Sequence, residues 1–177
     1  MWRGVIDVDG NGIVFFDPAV LRRFRPTLAR GHDLFEELTT TDLGDEVLAK
    51  GIIVPILAID DGGYDVVVRR DDEAQAIAGD LIVENGVFPL VVETELVVAD
   101  LAVLRSWAED LGWTRIAIPA GSYGTCIRGI RQMSRDKKEM IGAGYELVVT
   151  RSSALPSVTG QTGKRMRIFN WWDERKR

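Results

Sequence analysis

An eight-residue phrase is written twice in this chain. Residues 17–24 read Asp-Pro-Ala-Val-Leu-Arg-Arg-Phe and residues 100–107 read Asp-Leu-Ala-Val-Leu-Arg-Ser-Trp. Each follows an apolar stretch, Ile-Val-Phe-Phe before the first and Leu-Val-Val shortly before the second. A second pair of segments comes later in the same order. Residues 62–69 (GGYDVVVR) and 121–128 (GSYGTCIR) share a glycine, a tyrosine and a final arginine at the same spacing. The separations of the two pairs differ, so residues 25–49 read as an insertion into the first half. Two units, about 1–70 and 80–131, are expected to share one core, because a unit of ~80 residues buries too little surface to be comfortable alone. The fold class expected is β-rich α+β. Two related strand–helix–hairpin halves would pack as one β-sandwich-like domain over residues 1–163, followed by a basic-aromatic segment at 164–177. Leu21 and Leu104 are then expected in equivalent buried positions, as are Tyr64 and Tyr123.

Local patterns give the elements. Residues 2–8 and 13–16 flank Asp-Gly-Asn-Gly, a turn signature that predicts a hairpin. Asp17 can cap a short helix with Pro18 at its first position. Residues 51–59 and 64–70 flank Asp-Asp-Gly-Gly and predict a second hairpin, and Asn85-Gly86 predicts another turn. Asp100 resembles an N-cap, and Leu101, Leu104, Ala108 and Leu111 share one helical face, which predicts a helix over 101–112 ended by Gly112. Strands are expected at 113–119, 123–132 and 145–150. In the tail, Met166, Ile168 and Asn170 alternate with Arg165, Arg167 and Phe169 as in a final strand.

The charge is uneven. The net charge of the 177 residues is −5. Residues 164–177 nevertheless hold six Lys/Arg against Asp173 and Glu174, so the rest of the chain is more acidic than the total suggests. An acidic body argues against general binding to a phosphate backbone and suits a basic partner. No apolar run reaches the length that spans a bilayer, and the N-terminal residues lack a signal-peptide pattern, so a cytoplasmic location is expected. The single cysteine, Cys126, cannot form an internal disulfide and reads as a half-buried small residue.

The chemistry-bearing candidates each have an ordinary explanation. Asp7, Asp9, Asn11 and Gly12 start like a calcium loop, but the position that needs a bidentate Glu is Pro18, and a turn accounts for the same letters. The one histidine, His32, stands in a polar connection with no nucleophile motif around it. Zinc-ligand clusters are absent, and Ala120-Gly-Ser-Tyr-Gly124 lacks the Lys-Ser/Thr of a phosphate loop. No catalytic residue, metal or cofactor is therefore assigned. The paired carboxylates (Asp60/Asp61, Asp71/Asp72/Glu73, Glu93/Glu95) keep one competing class open, a carboxylate- or metal-dependent enzyme.

The segment IAIPAGSYGTCIRGI, with its Pro119-x-Gly121-x-Tyr123 pattern after an apolar strand, resembles the competence protein J group among bacterial immunity and nuclease-inhibitor proteins. The resemblance covers roughly residues 87–130. It implies a non-catalytic protein that neutralises a partner enzyme such as a nuclease or toxin. No residue role is carried over from it, and the acidic segment has no counterpart in it. Residues 33–46 carry Asp33, Glu36, Glu37, Asp42, Asp45 and Glu46 with no Lys or Arg among them. Such clustering costs self-repulsion, and it falls in the insertion. These residues, with Asp60 and Asp61, are the expected contact surface for a basic protein partner.

Overall fold

The computed structural model describes residues 1–169, so Asn170 to Arg177, part of the expected final strand and of the basic-aromatic segment, fall outside the described residues. The middle of the molecule is set by strands that are apolar along their length. β2 (Gly12–Phe16) is buried at every position, and β3 (Ile53–Leu57) and β6 (Leu96–Asp100) nearly so. Such strands have to be covered on both faces. With β7 (Thr114–Ile116) they form an antiparallel sheet in the order β3-β2-β6-β7. β1 (Trp2–Val8) alternates instead, burying Ile6 and Val8 while Arg3, Val5 and Asp7 face out. It joins a second sheet, β1-β4-β9-β8-β5, with β4 (Gly62–Arg70), β5 (Asp80–Val92), β8 (Gly121–Met133) and β9 (Met140–Ser152). The two sheets face each other across a core that includes Phe15, Ile56, Tyr64, Leu90, Val98 and Tyr145. Four short helices cover the other face of the four-stranded sheet: α1 (Pro18–Phe24), α2 (Leu34–Thr40), α3 (Leu43–Ala49) and α4 (Ala102–Arg105). They bury Leu21, Leu34, Val47 and Leu104 on Val14, Phe16 and Val97. The β-rich α+β class is thus the observed one.

The expected hairpins are corrected. The connections at 9–11, 58–61 and 117–120 each carry the chain from one sheet to the other, and β1 with β2, β3 with β4 and β7 with β8 share no pairing. Glycine, asparagine and aspartate permit the reversal whichever sheet receives the next strand. The expected turn at Asn85-Gly86 lies inside β5, where the register against β8 shifts between Gly86 and Phe88, a bulge rather than an end. The helix expected over 101–112 is only Ala102–Arg105. Tertiary contacts take its remainder. The Trp107 backbone bonds Gly31 (2.7 Å) and His32 (3.0 Å), and its ring packs on Phe16 and Trp113. Leu111, expected on the buried face, is 65% exposed. The final strand is also corrected: residues 164–169 are irregular, although Met166 and Ile168 are buried.

Apart from α2 and α3, the element order β1-β2-α1-β3-β4 recurs as β5-β6-α4-β7-β8. In the four-stranded sheet β2 lies beside β6, with β3 and β7 flanking them. In the other sheet β1 and β5 are the outer strands, β4 and β8 lie inside them, and β9 separates the two units. The strand order therefore reads the same from either side of each sheet, and each octapeptide begins at the end of a central strand of the four-stranded sheet, β2 or β6. Leu21 and Leu104 are each 1% exposed. Tyr64 donates to the Asp60 carbonyl and Tyr123 to the Pro119 carbonyl, each four residues back.

The aspartate that opens each octapeptide locks the opposite unit. The Asp17 carboxylate caps α1 through Ala19 N–H (2.7 Å) and also accepts from the amides of Glu93, Thr94 and Glu95, the turn between β5 and β6. The Asp100 carboxylate accepts from Ala102 N–H at the start of α4 (2.9 Å) and from the amides of Asp9 and Gly10, the turn between β1 and β2. A Cβ on Gly10 would stand 2.5 Å from both Ala102 N and an Asp100 oxygen, so this crossing needs glycine. The calcium-like letters at 7–12 therefore serve this turn.

Candidate functional site: the acidic helical insertion

Residues 25–49 lengthen the link between α1 and β3 by two helices that the other unit lacks. Sequence chemistry explains why they form. Asp33 caps α2, accepting from Glu36 N–H at 2.7 Å, and the Asp42 carbonyl accepts the first α3 amide bond, from Glu46 N–H. Glu36 and Glu37 stand in the first turn of α2, and Asp45 and Glu46 in that of α3, where the helix dipole favours negative charge. Leu34 and Val47 anchor the pair on the sheet.

The eight candidate residues divide by their surroundings. Glu37 is engaged within the fold, bonded to Arg25 (2.7 Å) and to the His32 ring (2.9 Å). Glu46 pairs with Lys50 one turn on, at 2.5 Å. Glu36, Asp42 and Asp45 are exposed and form no ion pair among the described residues. Asp60 and Asp61 lie in the crossing between β3 and β4, Asp60 facing Arg167 (3.4 Å) and Asp61 accepting from Asn11 (3.1 Å). They belong to the end of the sheets rather than to the helical layer.

An open groove of ≈ 380 Å³ runs between α2, α3 and the outer face of β3. Its floor is apolar, with Phe35, Leu38, Leu57 and Leu104, and Asp45, Thr39 and Thr41 stand on its rim. Periodicity alone did not find this groove. Its signal in the sequence is an excess of large apolar residues in the insertion, Phe35, Leu38, Leu43 and Leu48, beyond what two short helices bury completely. All four remain only partly buried.

The other carboxylate pairs are dispersed into ion pairs. Glu93 meets Arg23, Glu95 meets Arg115, and Asp72 meets Arg70. Among the described residues no three His, Cys, Asp or Glu side chains are grouped as metal ligands. Burial and the Glu84 carboxylate push the Cys126 thiol above its ordinary value. A raised value means less thiolate at pH 8, so Cys126 in the native protein should react with a disulfide reagent more slowly than in the protein unfolded in urea. Equal rates in the two states would show that the thiol is not shielded.

No protein-family model and no curated protein matches the sequence. Two solved structures are similar to it. One is ComJ from Bacillus subtilis, inhibitor of the DNA-degrading activity of NucA. It is 10% identical, with 86% of this chain and 96% of that chain covered and a TM-score of 0.47. The other is the protein of crocagin biosynthetic gene J, 13% identical, with 85% and 100% covered and a TM-score of 0.45. The group suggested by Pro119, Gly121 and Tyr123 is thus among the chain's structural neighbours. Among the described residues no helix is long and apolar enough to cross a membrane.

Proposed function

We propose that this chain is a non-catalytic binding protein of the immunity or inhibitor kind, and that its α2–α3 insertion docks on a basic surface of a partner enzyme such as a nuclease. One observation carries the reading. The insertion lines an apolar groove with Asp45 at its rim, and Glu36 and Asp42 on the same two-helix segment are exposed; none of the three forms an ion pair among the described residues. An apolar centre inside a charged rim is the anatomy of a protein interface, and one sign of charge selects the sign of the partner. A partner with Lys or Arg around an apolar anchor fits it. Glu37 and Glu46 support the surface through their ties to Arg25, His32 and Lys50 rather than by direct contact.

The test is photocrosslinking from position 42 in the source cells, with the reversal variant Glu36→Lys/Asp45→Lys as the comparison. The expected result is a discrete adduct with a protein of basic surface, and its loss in the variant. An adduct that survives the reversal, or none beyond that formed from the exposed Asp136 in the turn between β8 and β9, would remove the proposal.

A further inference from the structure

The matching strand order of the two units exposes an unequal pair of sites. In the second unit, residues 159–169 lie along the outer edge of β5 and then enter the end of the core. Thr159 and Gly160 donate to the Val87 carbonyl, both at 2.9 Å. The Asn85 side chain and the Gln161 backbone exchange two hydrogen bonds, at 2.9 and 3.0 Å. Beyond them Met166 accepts from Tyr145 (2.6 Å), Ile168 is fully buried, Arg167 faces Asp60, and Phe169 stacks on Tyr64 at 4.6 Å.

Setting Tyr64 on Tyr123 maps this seat onto the other unit. Val68 falls on Ile127 and Arg70 on Gly129. Because Trp2 pairs with Val68 and Asn85 with Ile127, Trp2 falls on Asn85. The corresponding position is a cleft of ≈ 390 Å³ lined by Trp2, Arg70, Ile118, Pro119, Tyr123 and Arg151. It opens beside β1, the terminal strand of its sheet, whose outer backbone edge has no hydrogen-bonded neighbour among the described residues. Val5 on that strand is 70% exposed.

The two seats differ in their charged residues. Where the filled seat offers Asp60 to Arg167, the open one has Pro119. Where Phe169 lies 3.3 Å from a Cβ built on Gly62, the Arg151 guanidinium lies 3.4 Å from one built on Gly121. Arg151 is exposed and bonds the Ala120 carbonyl. Of the acids on the lip, Asp72 pairs with Arg70, and Asp71 accepts from the Thr150 hydroxyl.

We infer that an extended segment of a partner protein, carrying an apolar side chain beside a carboxylate, pairs along the outer edge of β1 and seats that side chain in the Trp2–Tyr123 cleft. Strand addition supplies the backbone hydrogen bonds, and the cleft with Arg151 supplies the selection. The surface belongs to the opposite sheet from the one α2 and α3 cover, so it does not depend on the acidic groove.

The probe is a synthetic peptide of residues 159–169 carrying Arg167→Glu, titrated into the full-length labelled protein and followed by NMR. The natural peptide serves as the second arm. The expected result is saturable shifts of the Trp2 indole and the Ile118 methyl signals. The natural peptide should bind at least about fivefold more weakly, because its Arg167 finds Pro119 in the place of Asp60 and adds a second cation to the seat that holds Arg151. Binding should be lost in the Arg151→Glu protein, whose exposed site leaves the core intact. Shifts confined to Val83, Gly129 and Ile168 would mean that the peptide merely displaces the chain's own segment, and would overturn the inference. So would no shift at Ile118 up to ~1 mM, a weak limit for any specific contact. A third overturning result is a Trp2 signal that moves with protein concentration before any peptide is added, which would mark β1 as a contact between two copies.

Discussion

Asp17→Ala is expected to lower stability by about 3–4 kcal/mol. The carboxylate is fully buried and serves two tasks at once. It caps α1, and it receives three consecutive amides, of Glu93, Thr94 and Glu95, together with the Thr94 hydroxyl. Removing it leaves these donors with no acceptor in a region where water enters poorly, and each such orphan costs about 1–3 kcal/mol. In a chain of this length 1 kcal/mol moves the melting midpoint by about 2–4 °C, so a drop on the order of 10 °C should be seen. Asp17→Asn keeps one acceptor oxygen and should recover part of the loss. Asp100→Ala, at the corresponding but partly exposed position with three amides, should cost less, about 2 kcal/mol. Equal melting of Asp17→Ala and wild type would show that the turn between β5 and β6 finds other acceptors.

Glu146→Ala should cost as much or more. Glu146 and Arg69 form an ion pair at 2.7 Å with side chains 0% and 3% exposed. The other Glu146 oxygen accepts from Ala76 N–H (2.6 Å) and Ile77 N–H (3.0 Å), while Arg69 donates to the carbonyls of Arg70 and Glu73. The pair therefore clamps the 71–79 connection to the outer face of the five-stranded sheet, over Val67, Ile77 and Ile130. Losing one partner strands a buried guanidinium, which costs about 3–5 kcal/mol. The amides of Ala76 and Ile77 should lose their hydrogen-exchange protection first. The double replacement Arg69→Met/Glu146→Leu removes both charges and should recover much of the stability, though not the two amide bonds. A double variant no more stable than Glu146→Ala would mean that the amide contacts, not the stranded charge, carry the cost.

The repeated octapeptides made the order of elements legible, because in both places Asp accepts the amide two residues on, Leu is buried and the Arg after it faces out. Leu21 and Leu104 could be placed for that reason. The sheet assignment was not legible from turn letters, since Asp-Gly-Asn-Gly serves a crossing between sheets as well as a hairpin. The better signal lay in the strands. Ile13 to Phe16 are apolar without interruption, whereas Trp2 to Val8 alternate, and two such strands belong to different layers. The 101–112 helix failed because the sequence pattern carries no trace of the partner of Trp107, the 31–32 backbone. At the candidate site the acidic run was visible, but its division was not. Glu37 and Glu46 look like their neighbours in sequence, and only the positions of Arg25, His32 and Lys50 set them apart. The seat at Trp2 and Tyr123 was hidden for a similar reason, since its residues come from five separate strands and turns.

The measurement that bears most directly on the proposed function is the association rate of the partner captured from position 42, taken by stopped flow at low and high salt. It compares wild type with Glu36→Lys/Asp42→Lys/Asp45→Lys. These three side chains are exposed, so reversal should cost only the helix-dipole contribution, up to about 1 kcal/mol each, and the protein should remain folded. The expected result is association slower by about tenfold or more at low salt, with a much flatter dependence on ionic strength, because the steering field has been removed. A triple variant that associates at the wild-type rate at low salt would contradict the account, and would place the interface away from α2 and α3.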